Sequence, residues 1–157
     1  MIKINVVAVG KVKEKYYSEG IAEYAKRLSR YCEFKITEVA EENFAHVVDA
    51  TKETILRREA ERIRPHLAGK VFAMAIEGIK FTSETFARRI KGCTDAGDGV
   101  ITFVIGGSYG LSDEIKKAAA QLVSFSDMTF PHTLFRLMLT EQIYRAFSII
   151  GGSAYHK

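Results

Sequence analysis

Two kinds of hydrophobic pattern alternate along the chain. Nearly continuous apolar runs rich in valine, isoleucine and phenylalanine occupy residues 2–9, 70–76 and 100–105. Such runs are typical of strands that are buried on both faces. An alternating run at 33–39 and a short apolar run at 122–125 bring the number of predicted strands to five.

Helical spacing dominates the segments between these strands. Within residues 12–30, one apolar stripe is formed by Tyr17, Ile21, Tyr24 and Leu28. Further helices are predicted over 51–64, 83–91, 112–121 and 131–150, with a loop over 40–50. Strands that alternate with helices predict an α/β fold, with a mostly parallel sheet flanked by helices. With neither an internal repeat nor a linker, residues 1–157 are expected to form one domain.

The last predicted helix is apolar on most sides. Its apolar members are Leu134, Phe135, Leu137, Met138, Leu139, Ile143, Phe147, Ile149 and Ile150. A helix of this kind has to be buried on most sides, which in so small a domain indicates a subunit interface. The polar, glycine-rich segment 151–157 predicts no further element.

Composition narrows the class of protein. The 157 residues are 47% hydrophobic and 27% charged, which excludes a disordered chain. No apolar run approaches the ~20 residues that span a bilayer, and the first residues lack the features of a signal peptide. We therefore expect a cytoplasmic protein without a membrane partner. The formal net charge of +4 is compatible with an anionic partner such as nucleic acid.

The cysteines and histidines do not form a metal-binding pattern. Cys32 and Cys93 lie far apart, and the four histidines show no metal-ligand spacing. We expect free thiols and no metal site.

Three predicted strand ends are candidates for a ligand site, because ligands of open α/β sheets bind beyond the carboxyl ends of the strands. They are the glycine-rich segment 106–110, the mixed segment 125–132 and the segment 74–78. The glycine-rich segment matches neither the dinucleotide fingerprint nor the P-loop. Its Gly-x-Ser-x-Gly pattern would suit a hydrolase. The acid and histidine that follow, Asp127 and His132, are only five residues apart, and the chain is small for that fold.

Five stretches taken together carry a family resemblance. They are AVGKVKEKYY at 8–17, EYAKRLSRY at 23–31, FVIGGSYGLS at 103–112, SFSDMTFPHTLFRLMLTEQIYRAF at 124–147 and AYHK at 154–157. In this order they resemble the ribosomal RNA large subunit methyltransferase H family, which are SPOUT-class enzymes. The resemblance covers the full length of the chain.

The resemblance implies S-adenosylmethionine as cofactor and the ring imide nitrogen (N3) of a pseudouridine in 23S ribosomal RNA as substrate. It further implies a C-terminal trefoil knot, a homodimer with the active site near the interface, and assembled ribosomes as the partner. Carried over by position, the cofactor contacts fall on Met74, Gly106, Phe125, Ser126, Asp127, Met128, Thr129 and Phe130. The chain departs from the family at Ala75, where an acidic residue is usual.

Four residues are candidates for the chemistry, because an imide nitrogen attacks well only once it has lost its proton. They are His132, Arg136, Tyr155 and His156. Local roles are open alternatives: a hydrogen-bonded histidine at a helix start, an Arg136 pair with Glu141 or a backbone carbonyl, and a disordered tail. A Glu141–Arg145 pair four residues apart on a helix is also expected.

Basic residues of the first helix and the arginines of 57–64 are candidates for phosphate contacts. Two rival functions stay open at this stage. A non-catalytic ribosome- or RNA-binding factor would bind RNA without a cofactor. A nucleotide-binding enzyme unrelated to RNA would bind the cofactor without salt-dependent association with ribosomes.

Overall fold

One five-stranded sheet forms the centre of the computed structural model, which describes residues 1–157. The strands are β1 (Lys3–Val9), β2 (Glu33–Val39), β3 (Lys70–Lys80), β4 (Val100–Ile105) and β5 (Gln121–Ser124). Their order is β2-β1-β4-β3-β5, and every neighbouring pair is parallel. The predicted α/β fold is confirmed, and the sheet is parallel throughout. The trefoil knot stays a prediction.

Five helices cover the two faces of this sheet. They are α1 (Lys15–Leu28), α2 (Asp49–Ile63), α3 (Ser83–Asp95), α4 (Asp113–Ala118) and α5 (His132–Ile150), and a 3-10 turn (Arg64–His66) follows α2. The side chains of Thr82 and Ser112 accept backbone N–H groups at the starts of α3 and α4. None of these helices is long and apolar enough to cross a bilayer.

The strands divide their side chains between two cores. On β1, Ile4, Val6 and Ala8 pack with α1, α3 and α5, whereas Val7 and Val9 pack with α2 and α4. This division follows from the pleat, since successive side chains point to opposite faces. Burial on both faces explains why the strand sequences are continuous apolar runs.

The first helix begins later than its pattern predicts. Gly10 ends β1 with a positive φ of 89°, and residues 11–14 form no regular element before α1 starts at Lys15. Lys11 and Lys13 therefore lie on the β1–α1 connection at the carboxyl edge of the sheet, not on a helix face. The fourth helix is likewise shorter than predicted, ending at Ala118, because β5 begins at Gln121.

The third strand is longer than predicted and carries a bulge. Val123 of β5 pairs with both Met74 and Ile79, so the residues between them leave the ladder. A side chain at Gly78 would place its Cβ 2.6 Å from the backbone of Leu122 and Val123. Only glycine fits such a close approach of two backbones. The bulge turns residues 75–77 out of the sheet at the end where the site lies.

Candidate functional site

A cavity of about 690 Å³ opens at the carboxyl ends of β3, β4 and β5. Its walls come from residues 74–77, 105–111, 123–126 and 128–132, with Lys116 and Phe135 from α4 and α5. The three strand ends predicted from the sequence therefore meet in one cavity. Its volume lies in the range of small-molecule and cofactor sites.

The glycine loop after β4 forms the tightest wall of this cavity. Gly106 and Gly107 are buried, and a Cβ on Gly106 would lie 2.4 Å from the carbonyl carbon of Gly110. The Gly110 N–H donates to the Gly107 carbonyl (3.1 Å), and Gly110 has a positive φ of 80°. The loop thus folds back on itself and brings bare backbone to the cavity, where a ligand can approach it closely.

Glu41 of the β2–α2 connection and Lys52 of α2 brace the glycine loop from outside. The Ser108 hydroxyl donates to Glu41 (2.9 Å), and the Lys52 ammonium lies 5.6 Å from the centre of the Tyr109 ring. Glu41 is itself held in a fixed backbone segment, because the Glu42 N–H donates to Glu59 (3.0 Å). The Glu41 contact connects the cavity wall to residues 40–50, which the sequence predicts only as a loop, and Lys52 belongs to the helix that follows.

The segment after β5 forms the opposite wall. Ser126 shapes it, since its side chain accepts the Met128 N–H (3.0 Å) and its carbonyl accepts the Ser124 hydroxyl (3.0 Å). The Phe125 ring packs on Phe135, with 4.9 Å between ring centres. Seven of the eight predicted cofactor contacts line the cavity: Met74, Gly106, Phe125, Ser126, Met128, Thr129 and Phe130.

Asp127 does not line the cavity. Its carboxylate points to solvent and pairs with Lys80 (2.6 Å), the last residue of β3, outside the cavity. The sequence could not distinguish it from its neighbours, because the chain bends at residues 125, 127 and 128 and follows no strand alternation there.

Two carboxylates beside the cavity have shifted pKa values of opposite sign. Glu77 accepts a hydrogen bond from Lys116 (2.6 Å), which lowers the pKa of Glu77. Burial raises the pKa of Glu59, which lies beneath the β2–α2 connection. Lys116 therefore keeps a negative charge fixed at the cavity rim.

His132 and Arg136 lie one turn apart at the start of α5 and have different surroundings. His132 lines the cavity, and its Nε2 is 3.6 Å from the point where a Cβ on Gly10 would lie. Arg136 is only 3% exposed; it pairs with Glu38 and donates to the Gly10 carbonyl (3.0 Å). Of its two expected local roles, the pair with a backbone carbonyl is confirmed and the pair with Glu141 is wrong.

The predicted tail residues lie away from the cavity of their own chain. The Tyr155 hydroxyl donates to Glu141 (2.9 Å), and the His156 ring contacts Glu84 (2.8 Å) and Arg145 (3.1 Å). Burial, followed by the hydrogen bonds, raises the pKa of Tyr155, so its hydroxyl stays protonated. The tail is therefore docked on the fold, and the predicted Glu141–Arg145 pair is confirmed at 2.7 Å.

Sequence reasoning missed several residues that face or support the cavity. Residues 75–77 belong to the predicted segment 74–78, but no pattern in the sequence predicts the β3 bulge that turns Ala75, Ile76 and Glu77 toward the cavity. Glu41 and Lys116 come from segments that are distant in the chain. The only signal for them was general, namely that the connections after parallel strands meet at one edge.

A parallel α/β sheet with this glycine loop and a cavity at its carboxyl edge defines the class of ligand-binding α/β domains. The family described as "Predicted SPOUT methyltransferase" matches residues 2–156, and the chain belongs to this family of methyltransferases. The prediction of S-adenosylmethionine as the cofactor is confirmed at the level of the family.

Individual relatives show which methyltransferases the chain is similar to. The chain is 49% identical to the ribosomal RNA large subunit methyltransferase H of two Streptococcus pyogenes strains, MGAS8232 and Manfredo. Each comparison spans 99% of this chain and 100% of the relative. Among solved structures, a probable methylase family protein from Haemophilus influenzae shares the fold with a TM-score of 0.55 and 12% identity, over 99% of this chain and 70% of that one.

Proposed function

We propose that this chain transfers the methyl group of S-adenosylmethionine to N3 of a pseudouridine in 23S ribosomal RNA, on assembled ribosomes. The observation that carries this proposal is the cavity at the ends of β3, β4 and β5, where the glycine loop meets the apolar segment after β5. The full-length identity of 49% to ribosomal RNA large subunit methyltransferase H supports the choice of substrate.

The cavity fits the cofactor in size and chemistry. Apolar walls at Met74, Phe125 and Phe130 suit a flat base, and backbone polar groups of the lining residues Gly106 and Ser126 would bind its edges. The absence of a Cβ at Gly106 lets the glycine loop close against Gly110 and so gives this wall of the cavity its shape. When bound, S-adenosylmethionine supplies a sulfonium methyl group for in-line displacement, which needs no metal.

His132 is the candidate for direct contact with the reacting groups, because its ring lines the cavity. It would hold the substrate base beside the methyl group of the cofactor. Arg136 is nearly fully buried, so we assign it a positioning role. Its bonds to Glu38 and to the Gly10 carbonyl hold the start of α5 against the carboxyl ends of β1 and β2.

Tyr155 and His156 can join this site only from a second copy of the chain, since they do not line the cavity of their own chain. An apolar groove of about 480 Å³ lies between α1, α3 and α5, lined by Tyr24, Phe81, Leu137 and Met138 among others. Partly exposed apolar side chains on α5 favour this surface as the homodimer interface. The partner's tail would then complete the active site.

Lys11 and Lys13 are the best candidates for contacts to RNA phosphates. Both are exposed, form no ion pair, and lie on the connection that begins at Gly10, beside His132. The arginines of 57–64 are less suitable. Arg58 and Arg62 pair with Glu42, and Arg64 pairs with Glu114, which leaves Arg57 alone without an acidic partner.

The test is methyl transfer from labelled S-adenosylmethionine to ribosomes that lack the modification, with free 23S RNA alongside. We expect label on the ribosomal RNA of the assembled ribosome, at N3 of a pseudouridine. A folded protein that binds ribosomes and labels neither substrate would contradict the proposal and favour a non-catalytic binding factor.

A further inference from the structure

The docked tail holds one histidine between two charged side chains from different helices. Nε2 of His156 lies 2.8 Å from the Glu84 carboxylate on α3, and Nδ1 lies 3.1 Å from the Arg145 guanidinium on α5. The ring is largely buried, with 25% of its side chain exposed. Each ring nitrogen therefore has a single, chemically distinct partner.

The chemistry of these partners fixes the proton on the ring. A guanidinium can only donate hydrogen bonds, so the nitrogen that faces Arg145 has to accept. An ionised carboxylate can only accept, so the nitrogen that faces Glu84 has to donate. We propose that Glu84 and Arg145 are positioning residues that hold the proton of the neutral His156 ring on Nε2 and direct the Nδ1 lone pair toward α5.

Arg145 is itself fixed in place independently of His156. Its guanidinium donates to Glu141 through two nitrogens, at 2.9 and 2.7 Å, and lies 4.7 Å from the centre of the Tyr155 ring. The Tyr155 hydroxyl donates to the same Glu141 oxygen. The charged and titratable groups that face the ring are thus Glu84 on α3, Arg145 with Glu141 on α5, and the neighbouring Tyr155.

The consequence for catalysis rests on the proposed function. If His156 serves the partner's active site, Nδ1 is its basic atom, and the substrate imide must displace the Arg145 N–H from it. The imide proton then moves to Nδ1. The Glu84 carboxylate, which still accepts the Nε2–H, stabilises the imidazolium. A carboxylate that orients a histidine in this way is a recurring feature of acid–base sites.

The first test reads the proton position directly and does not depend on activity. The intact protein is labelled with ¹⁵N-histidine, and the ring of His156 is assigned by comparison with His156→Asn. Long-range ¹H–¹⁵N spectra near pH 8 should show a protonated Nε2 and an unprotonated Nδ1. In Glu84→Gln and Arg145→Met, the two nitrogens should move toward the averaged shifts of exchanging tautomers. A wild-type ring protonated on Nδ1, or already averaged, would overturn the inference.

The second test measures how much the fixed position of the His156 ring proton contributes to methyl transfer. Glu84→Gln should lower kcat for methyl transfer about ten- to hundredfold, the range expected when a reacting group is misplaced by ~1 Å. Cofactor affinity should not change, and Glu84→Asp should recover part of the loss. Asp95→Asn, at the other end of α3, removes a carboxylate paired only with the exposed Lys91 and serves as the control.

The outcomes separate the two proposals. A confirmed Nε2 proton with unchanged kcat in Glu84→Gln would overturn the positioning role. A wild-type protein that transfers no methyl group would overturn the proposed function, while the spectra would still decide the proton position.

Discussion

At the scale of single residues, Gly106 is the glycine of the cavity wall where an added atom has the least room. Gly106→Ala would place its Cβ 2.4 Å from the backbone of Gly110, so the loop has to move. We expect the Kd for S-adenosylmethionine, measured by calorimetry, to rise at least about tenfold, equivalent to about 1.4 kcal/mol.

Gly92→Ala is the matched control for this change. Gly92 lies within α3, and an added Cβ there meets no atom within 4 Å. The control should leave the Kd unchanged and raise the free energy of unfolding by about 0.5–1 kcal/mol, the usual gain for this change inside a helix. Equal cofactor affinities for the two variants would show that the glycine loop does not touch the cofactor.

Glu59 makes stability depend on pH in an unusual direction. Burial raises the pKa of this carboxyl in the folded protein, so the unfolded chain releases its proton first as pH rises. Its contribution to stability is therefore present at low pH and is lost as pH rises above the ordinary value for glutamate. Glu59→Gln can keep the hydrogen bond from the Glu42 N–H and removes the titration.

The measurement is urea unfolding of both proteins across pH. The variant should gain stability over the wild type as pH rises from 4 to 8. A difference in unfolding free energy that stays constant across this range would contradict the assignment.

At the scale of elements, hydrophobic periodicity predicted the regular segments well. Strands β1, β3 and β4 were found because burial on both faces leaves a continuous apolar run, β2 because its residues alternate, and β5 as a short apolar run. Helix α5 was found because its apolar pattern extends over five turns. Features that depend on other parts of the chain were not predictable. The β3 bulge arises where β5 passes Gly78 at contact distance, and no local sequence pattern predicts a contact between two distant segments.

The β1–α1 connection is the element that most affects RNA binding in our proposal. The Lys11→Ala/Lys13→Ala double variant should raise KM for ribosomes and leave cofactor affinity unchanged. If each lysine neutralises one phosphate, the slope of log affinity against log salt should fall by about 1.4, at about 0.7 per single-strand phosphate.

A control with the same loss of charge tests whether position matters. Lys3 and Lys35 are exposed, form no ion pair and lie on β1 and β2, away from the cavity. Lys3→Ala/Lys35→Ala should leave the salt slope nearly unchanged. Equal effects of the two double variants would mean that net charge alone matters, and that this connection makes no specific contact.

At the scale of the whole molecule, the candidate site was only half predictable. The rule that ligands bind beyond parallel strand ends predicted the position of the cavity from the sequence alone. The separation of His132 from Tyr155 and His156 was not foreseeable, because it depends on how the tail docks between α3 and α5.

The proposed homodimer can be tested at Met138 in the apolar groove. Met138→Arg would bury a charge between subunits, and we expect dimer affinity to fall about hundredfold or more, or about 2.7 kcal/mol. Sedimentation at micromolar concentration measures the change, and Val48→Arg, at an exposed site on the opposite face of the sheet, is the control. A Met138→Arg protein that stays dimeric would place the interface elsewhere.

Removal of residues 154–157 tests the tail as a whole. Because these residues do not line the cavity of their own chain, cofactor affinity should be largely retained while methyl transfer is abolished. Calorimetry and a transfer assay on the same sample separate the two effects. Retained turnover would refute a catalytic role for Tyr155 and His156.

The contact between Lys52 and Tyr109 also has a practical consequence. Tyr109 stands at the cavity wall, and the chain contains no tryptophan. Tyr109→Trp would therefore introduce a single indole ring whose emission responds to whatever enters the cavity. Cofactor entry and exit could then be followed by stopped-flow fluorescence, without a labelled ligand and without background from other indole rings.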